Sequence, residues 1–332
     1  MDSAPLVERA SEPSSNQQLF FHHHPRPAED MIGELLSGLG GNPKRISPKY
    51  FYDSRGAALF DRITEQPEYY LTRVERRIYL DFARSIADEV GSGRVLVEPG
   101  SGSSEKVELL LDALQPAAYV PVEITESHLR RAAHHLALQY PWLEVHAVCA
   151  DYSGGMNLPD ALPEAPRLLF FPGSTIGNFE PDDARRFLGH LRRASGEEGA
   201  LLIGVDLRKD TALLNAAYND AEGVTAAFNL NVLDHINRIA GTDFDCSRFN
   251  HQAFFNEAES RIEMHLASDC AQTVSMGDVR FHFAEGETIH TENSYKYSLE
   301  EFRQLAISAG FEPRDTWVDE HRLFSVHLLD AA

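Results

Sequence analysis

Short apolar runs alternate with helical patterns through the middle of the chain. The runs at residues 95–98, 119–124, 144–150, 167–171 and 200–205 are too short for helices and predict strands. Between them, apolar residues recur every three or four positions at residues 103–114, 126–139 and 182–193, which predicts helices. This alternation predicts an α/β fold with a doubly wound parallel sheet, whose strands are apolar because helices cover both faces.

The pattern differs on either side of this region. Residues 1–18 are small, polar and aperiodic, which predicts a disordered tail. Helices are predicted at residues 31–39, 73–90 and 299–309, and a mainly helical stretch at 211–239. Strands are predicted at residues 261–266, 273–276, 279–283, 288–295, 314–318 and 323–328. The stretch between Asp206 and the last helix is therefore predicted to be an insertion into the sheet.

Composition narrows the possible functions. The chain has 30 Lys and Arg against 51 Asp and Glu, a formal charge of −21, which disfavours a nucleic-acid partner. We find neither an apolar run of about 18 residues nor a secretory signal, so a cytoplasmic protein without a membrane partner is expected. The 3 cysteines are widely spaced, and the run of histidines at residues 22–24 is interpreted as a solvated segment. No metal is expected.

A nucleotide-type loop follows the first predicted strand of the sheet. Its glycines, Gly100 and Gly102, precede a helix, where the backbone can approach a ligand closely. The loop alone is compatible with NAD, FAD or S-adenosylmethionine. Two acids, Glu98 before the loop and Glu105 at the position of a third glycine, disfavour a diphosphate and favour the cationic S-adenosylmethionine.

Acids also end the next two predicted strands. Glu123 is placed to accept hydrogen bonds from ribose hydroxyls. Asp151 and Tyr152 are placed to bind the amino group and the ring of adenine. The alternative is that these residues are ordinary solvated strand ends, but three acids at consecutive strand ends favour the cofactor.

These residues belong to longer strings that resemble the histidine-specific Nα-methyltransferases of ergothioneine biosynthesis. The resemblance runs from about Pro48 to the C-terminus. It is carried by Lys49-Tyr50-Phe51-Tyr52-Asp53, Pro67-Glu68-Tyr69-Tyr70, Gly100-Ser101-Gly102-Ser103-Ser104-Glu105-Lys106, Gly173-Ser174-Thr175-Ile176-Gly177-Asn178, Tyr218-Asn219-Asp220-Ala221, Arg261-Ile262-Glu263-Met264 and Thr291-Glu292-x-Ser294-x-Lys296.

The resemblance implies a class I methyltransferase core, Rossmann-like, with an added α+β substrate domain. The core would comprise residues 73–206 and 295–332, and the substrate domain residues 19–72 and 207–294. The resemblance places S-adenosylmethionine near Tyr69, Gly100, Gly102, Lys106, Glu123, Asp151 and Tyr152. The chain departs from the family at Glu123, where Asp is usual, and at Pro99, where Leu is usual.

The resemblance also implies a substrate site. It assigns histidine binding to Tyr52, Tyr69, Asn178, Tyr218, Met264, Glu292 and Ser294, with Tyr52 also bordering the amine in the catalytic step. A neutral imidazole has one donor and one acceptor, and Glu292 and Ser294 would face it from one side of a strand. Alternatively, these two residues lie on a solvent-facing strand and the tyrosines pack in the core.

The expected activity is the transfer of three methyl groups from S-adenosylmethionine to the α-amine of histidine, giving hercynine, by a monomer. Three alternatives stay open at this point. They are a related enzyme for another amino acid such as tryptophan, a non-catalytic metabolite-binding protein, and a dinucleotide oxidoreductase.

Overall fold

The structure is a computed structural model that describes residues 6–9, 18–24, 28–152 and 154–332. Three 3-10 helices, Pro48–Phe51, Thr175–Asn178 and Cys246–Arg248, accompany the helices and strands. In chain order the α-helices and β-strands are β1 (Leu6–Arg9), β2 (Leu19–His23), α1 (Ala28–Gly40), β3 (Lys44–Arg45), α2 (Ser54–Thr64), α3 (Tyr70–Val90), β4 (Val95–Pro99), α4 (Glu105–Leu114), β5 (Ala118–Glu123), α5 (Glu126–Gln139), β6 (Val145–Cys149), β7 (Arg167–Phe171), α6 (Pro181–Ser195), β8 (Ala200–Asp206), α7 (Thr211–Ala217), α8 (Val224–Ala240), β9 (Phe249–Asn256), β10 (Arg261–Ser268), β11 (Gln272–Met276), β12 (Val279–Phe283), β13 (Thr288–Tyr295), α9 (Leu299–Ser308), β14 (Phe311–Val318) and β15 (Phe324–Ala331).

The chain divides into two compact units. The first unit comprises Met1–Arg26, Leu71–Leu207 and Tyr297–Ala332, and the second comprises Pro27–Tyr70 and Arg208–Lys296. Within the part of the chain that is described, no helix is both long and apolar enough to cross a membrane.

A nine-stranded sheet forms the first unit, in the order β1-β2-β6-β5-β4-β7-β8-β15-β14. Strands β2, β6, β5, β4, β7 and β8 are parallel to one another, whereas β15 lies antiparallel between β8 and β14. The chain reverses its direction of winding between β4 and β7, which is where doubly wound sheets bind ligands. This order is that of a class I methyltransferase, so the predicted fold class is confirmed.

Helices cover both faces of this sheet. Alternate residues of β4 point to opposite sides: Leu96 packs with α3, α4 and α5, whereas Val95 and Val97 pack with α6 and α9. All five residues of β4 are buried, as a strand covered on both faces requires. The elements predicted between residues 95 and 206 are confirmed, with bounds within two residues of those observed.

The second unit is built on a smaller sheet, in the order β3-β13-β10-β9, with β11 and β12 forming a separate hairpin. Helix α8 is fixed to this sheet by Asn229, whose side chain donates to the His265 carbonyl at 3.0 Å and accepts from Thr291 Oγ1 at 2.8 Å. Asp53 caps α2 through the Gly56 N–H and also accepts from the Asn231 side chain of α8. These bonds connect the N-terminal segment of the unit to its insertion.

Two expectations for the N-terminal region were wrong. Part of the predicted tail, Leu6–Arg9, forms β1; residues 1–5 and 10–17 lie outside the described residues. Residues 19–23, expected in the substrate domain, form β2 in the sheet of the first unit. The histidine run is not a solvated segment throughout, because His22 is buried and its ring lies 3.2 Å from His146 Nδ1. Pairing with β6 makes this short run a strand.

Candidate functional site

The loop after β4 is anchored to the neighbouring strand. Gly100 and Ser101 donate their backbone N–H groups to the Val122 carbonyl, at 2.7 and 3.2 Å. Gly100 has φ +70°, and a Cβ there would lie 2.7 Å from the Tyr152 hydroxyl, so only glycine fits. Pro99 ends β4 without disturbing this arrangement, because the donors are the two residues that follow it.

Glu123, at the end of β5, is fixed by backbone donors. Its Oε2 accepts the Gly102 N–H at 3.1 Å, and its Oε1 accepts the N–H groups of Ile124 and Thr125 at 2.9 and 3.0 Å. Because Oε2 receives one of these bonds and an oxygen of a carboxylate accepts about two, the group keeps capacity to accept from a ligand. The same contact occupies the N–H of Gly102, which a phosphate would otherwise bind.

Glu98 is a second buried acid beside the loop. It is 1% exposed, and Tyr119 donates its hydroxyl to Glu98 Oε2 at 2.5 Å. Burial raises the pKa of Glu98 to about 8. The hydrogen bond from Tyr119 and the charge of Lys106 lower this pKa, but their effects are smaller than that of burial. A neighbouring positive charge would favour the ionised carboxylate.

Lys106 forms an ion pair beneath the loop. Its Nζ lies 2.6 Å from Glu75 Oε2, and the Glu75 side chain is fully buried. The other oxygen of Glu75 accepts the Gly173 N–H at 2.8 Å and the Tyr79 hydroxyl at 3.0 Å. Sequence reasoning missed Glu75, which lies on α3 outside the recognised strings. Lys106 thus connects the loop to α3, and its predicted contact with cofactor stays a prediction.

Other predicted residues of the first unit follow β6 and β7. Asp151 and Tyr152 come after β6, and the Tyr152 ring packs against Phe171 and Phe187 at centroid distances of 6.3 and 6.0 Å. Asn178 ends the 3-10 helix that follows β7. The carboxyl ends of the parallel strands therefore carry the loop glycines, the acids and Asn178 along one edge of the sheet.

Three predicted tyrosines lie in an aromatic cluster of the second unit. Tyr52 makes edge contacts with Phe60 and Phe228, each at 5.8 Å between centroids. Phe60 contacts Tyr69 at 6.4 Å, and Tyr69 contacts Tyr218 at 6.3 Å. The structure thus connects Tyr52, Tyr69 and Tyr218, which are distant in sequence, through contacting rings.

A polar row runs along one face of β13 and the residue after it. Glu292 lies opposite Met264 of β10, and Ser294 opposite Ile262. Ser294 Oγ accepts from the Tyr218 hydroxyl at 2.8 Å and from Lys296 Nζ at 2.7 Å. Burial raises the pKa of Glu292 to about 7, although the charge of Lys296 lowers it.

Lys296 lies beside the predicted substrate residues, and sequence reasoning quoted it in the resemblance without assigning it a role. It is 1% exposed, an unusual state for a lysine. The available signal was the spacing Glu292-x-Ser294-x-Lys296, because residues two apart along a strand share a face.

The backbone of Tyr218 is held by a hydrogen bond to His251 of β9. His251 Nε2 lies 3.0 Å from the Tyr218 carbonyl, and its Nδ1 lies 2.9 Å from the Asn229 side chain. Asp220 then caps α8 by accepting the N–H groups of Val224 and Thr225 at 2.7 and 2.8 Å. The turn between α7 and α8 is therefore held by hydrogen bonds at both ends.

Glu263, His265 and His290 form a separate cluster in the second unit, with possible ligand atoms within 4.8 Å of one another. The Glu263 carboxylate already accepts from Arg261 Nε at 2.8 Å and pairs with His265 Nε2 at 2.9 Å. The two imidazole rings stack at 4.6 Å with 18° between their planes. Lone pairs in nearly parallel planes do not converge on one ion, so the cluster fits a hydrogen-bonded sheet face better than a metal site.

Comparisons with known proteins show the family to which the chain belongs. A family model described as "Histidine-specific methyltransferase, SAM-dependent" matches residues 31–331. The chain is 40% identical to the histidine N-alpha-methyltransferase of Mycolicibacterium smegmatis, covering 91% of this chain and 95% of that protein. It is 32% identical to ergothioneine biosynthesis protein 1 of Neurospora crassa, covering 86% of this chain and 33% of that protein.

A solved S-adenosylmethionine-dependent methyltransferase from Clostridium acetobutylicum aligns at 13% identity and a TM-score of 0.48, covering 82% of this chain and 98% of that chain.

Proposed function

We propose that this chain, which belongs to the family of histidine-specific, S-adenosylmethionine-dependent methyltransferases, trimethylates the α-amine of L-histidine. The product would be hercynine, an intermediate of ergothioneine biosynthesis. The observation that carries the substrate assignment is the row of Glu292, Ser294 and Lys296 beside Tyr218. The name of the mycobacterial relative supports the same assignment.

The cofactor assignment is supported by charge as well as by family. Glu98 and Glu123 lie at the loop, and Glu123 already accepts the Gly102 N–H that a diphosphate would need. Glu105 begins α4, so a phosphate at this helix start would meet a carboxylate. We therefore assign the cationic S-adenosylmethionine to Gly100, Gly102, Lys106, Glu123, Asp151 and Tyr152, with Tyr69 as a further contact.

The substrate assignment follows from hydrogen-bond complementarity. A neutral imidazole carries one N–H donor and one unprotonated nitrogen. The Glu292 carboxylate accepts the N–H, and the Ser294 hydroxyl donates to the other nitrogen. Met264, across the strand from Glu292, supplies an apolar wall. A side chain that leaves Glu292 or Ser294 without a hydrogen-bond partner loses about 1–3 kcal/mol per missing partner. We assign Asn178 and Tyr218 to the substrate carboxylate.

The reaction is an in-line displacement in which S-adenosylmethionine supplies an electrophilic methyl group. The amine lone pair forms the new N–C bond, and the electrons of the C–S bond stay on sulfur. The amine must first lose its ammonium proton, whose pKa in peptides is about 7.7–8.0. We assign Tyr52 to border the amine. Placing the nitrogen in line contributes several kcal/mol, so these residues act mainly by positioning.

The test is an assay of the purified protein with S-adenosylmethionine and each of the twenty amino acids, read by mass spectrometry. We expect a gain of three methyl groups on histidine alone. Methylation of another amino acid would overturn the roles of Glu292 and Ser294, and no methylation would overturn the proposal. In the same assay Tyr52→Phe should change the ratio of mono-, di- and trimethyl products. Tyr140→Phe, in the first unit, serves as the control with an unchanged ratio.

We also propose that the enzyme is a monomer of the cytoplasm that uses no metal. Light scattering after gel filtration tests the monomer, and a mass near 37.1 kDa is expected. Unchanged activity after treatment with a chelator tests the absence of a metal requirement.

A further inference from the structure

Lys296 is 1% exposed, and burial of an ammonium group is costly unless the group is hydrogen-bonded or paired. Its Nζ lies 2.7 Å from Ser294 Oγ and 3.3 Å from the Tyr218 hydroxyl. It also lies 5.2 Å from the centre of the Tyr218 ring, a cation–π distance. These contacts hold the ammonium group between the two hydroxyls.

The hydrogen-bond directions in this group follow from the ammonium, which only donates. The Tyr218 oxygen accepts from Lys296, so the single Tyr218 proton goes to Ser294 Oγ at 2.8 Å. Ser294 Oγ thus accepts two bonds, one from Lys296 and one from Tyr218, which fills both of its lone pairs. The proton of Ser294 must then be donated elsewhere.

We propose that Lys296 is a positioning residue for substrate specificity, which orients the Ser294 hydroxyl as a donor and keeps the Glu292 carboxylate as an acceptor. The proposal rests on the proposed function, because it concerns recognition of the imidazole. The pocket then has one hydrogen-bond donor, Ser294, and one acceptor, Glu292, so that the imidazole ring binds in its neutral form and in one orientation. An imidazolium, with two N–H groups, would direct one of them at the donor Ser294.

The positive charge of Lys296 favours the ionised form of Glu292, which is the form that accepts hydrogen bonds with both oxygens. Burial has the larger effect and raises the pKa of Glu292, whereas the charge of Lys296, four residues further along the chain, lowers it. Across the sheet the partner of Glu292 is the uncharged Met264. The neutral Tyr218 contacts Lys296, and His290 reaches the backbone carbonyl of Glu292 at 3.1 Å rather than its carboxylate.

The test compares Lys296→Met, Lys296→Gln and Lys296→Arg with the wild type. Lys296→Met should raise KM for histidine at least tenfold, because Ser294 then turns freely and Glu292 is more readily protonated. Lys296→Gln, which keeps polarity without charge, should show a smaller increase in KM in the same direction. Lys296→Arg, which keeps charge and donors, should restore most of the affinity. The affinity for S-adenosylmethionine, measured by calorimetry, should stay unchanged and reports on folding.

A pH series separates this role from a merely structural one. Nα-trimethylhistidine has no titratable amine, so its binding in the presence of S-adenosylhomocysteine reports on the ring and on Glu292. In the wild type its affinity should fall below about pH 7; in Lys296→Met and Lys296→Gln the fall should begin at higher pH. If either folded variant keeps the wild-type KM and pH dependence, the proposal is wrong. A wild type that does not methylate histidine would instead overturn the proposed function.

Discussion

Each unit contains a carboxylate that interacts with the charge of a lysine, but the contacts of the two lysines differ. In the first unit Glu75 pairs directly with Lys106 at 2.6 Å, and its other oxygen accepts from a backbone N–H and a tyrosine. In the second unit Lys296 donates to the hydroxyls of Ser294 and Tyr218, and its charge lowers the pKa of Glu292.

We propose that this difference separates groups that stabilise the fold from groups that bind the substrate. The bonds of Glu75 join α3, α4 and the loop after β7, so they stabilise the first unit. In the proposed site, the contacts of Lys296 and Tyr218 orient the Ser294 hydroxyl, and the Ser294 proton and the Glu292 carboxylate would bind the substrate. Substitutions in the first group should therefore change stability most, whereas substitutions in the second should change substrate affinity most.

The largest expected effect is that of Glu75→Ala on stability. Removing a fully buried partner leaves a backbone N–H and the Tyr79 hydroxyl without their acceptor, so the free energy of unfolding should fall by about 3 kcal/mol. Chemical denaturation measures it. Asp81→Ala is the control on the same helix; its exposed pair with Arg77 should contribute less than about 1 kcal/mol. If the free energy of unfolding falls equally in Glu75→Ala and Asp81→Ala, the proposed role of Glu75 in stabilising the first unit is wrong.

Glu292→Gln should affect catalysis rather than stability. The amide oxygen can still accept the imidazole N–H but carries no negative charge, and a hydrogen bond to a charged group is the stronger one, so kcat/KM for histidine should fall by up to about 100-fold, near 2.7 kcal/mol. The midpoint of thermal unfolding should not fall, because burial disfavours the native carboxylate. Steady-state kinetics and a melting curve measure the two quantities. Glu285→Gln, at an exposed position before β13, is the matched control. A loss of stability without a loss of kcat/KM would place Glu292 with the groups that hold the fold.

The smallest expected effect concerns protons at the cofactor loop. With its pKa raised to about 8, Glu98 keeps a proton in the folded protein that the unfolded chain loses, so its contribution disfavours folding as pH rises toward 8. A cationic ligand should ionise it, and binding of S-adenosylmethionine at pH 7 should release close to one proton. Calorimetry in buffers of different ionisation enthalpy measures this release, and Glu98→Gln should abolish most of it. Equal release by both proteins would contradict this account.

The elements best predicted from sequence were those with a local cause. Strands β4 to β8 are apolar runs because helices cover both of their faces. Helix α9 begins at a capping box in which Ser298 and Glu301 bond to each other's backbone N–H. Such signals lie within a few residues of the structure that they determine.

The elements that were missed depend on distant partners. Strand β2 exists because β6 pairs with it, and β9 has only a half-buried face, with no strong apolar run. Lys296 was quoted in the resemblance but assigned no role, because lysine is usually exposed and its burial is seen only where the structure brings Tyr218 and Ser294 beside it. The candidate site was predicted largely through the resemblance, whereas the directions of its hydrogen bonds needed coordinates.

The position of β15 bears on how the first unit assembles. This strand lies inside the sheet, between β8 and β14, although it follows the whole 208–296 insertion in the chain. Residues of β8 therefore pair with residues of β15 that are synthesised much later, and the sequence separation of these contacts is large. Such contacts slow folding, since loop closure precedes the gain from pairing. Until β15 is synthesised, one edge of β8 has no strand to pair with, and an unpaired strand edge favours aggregation.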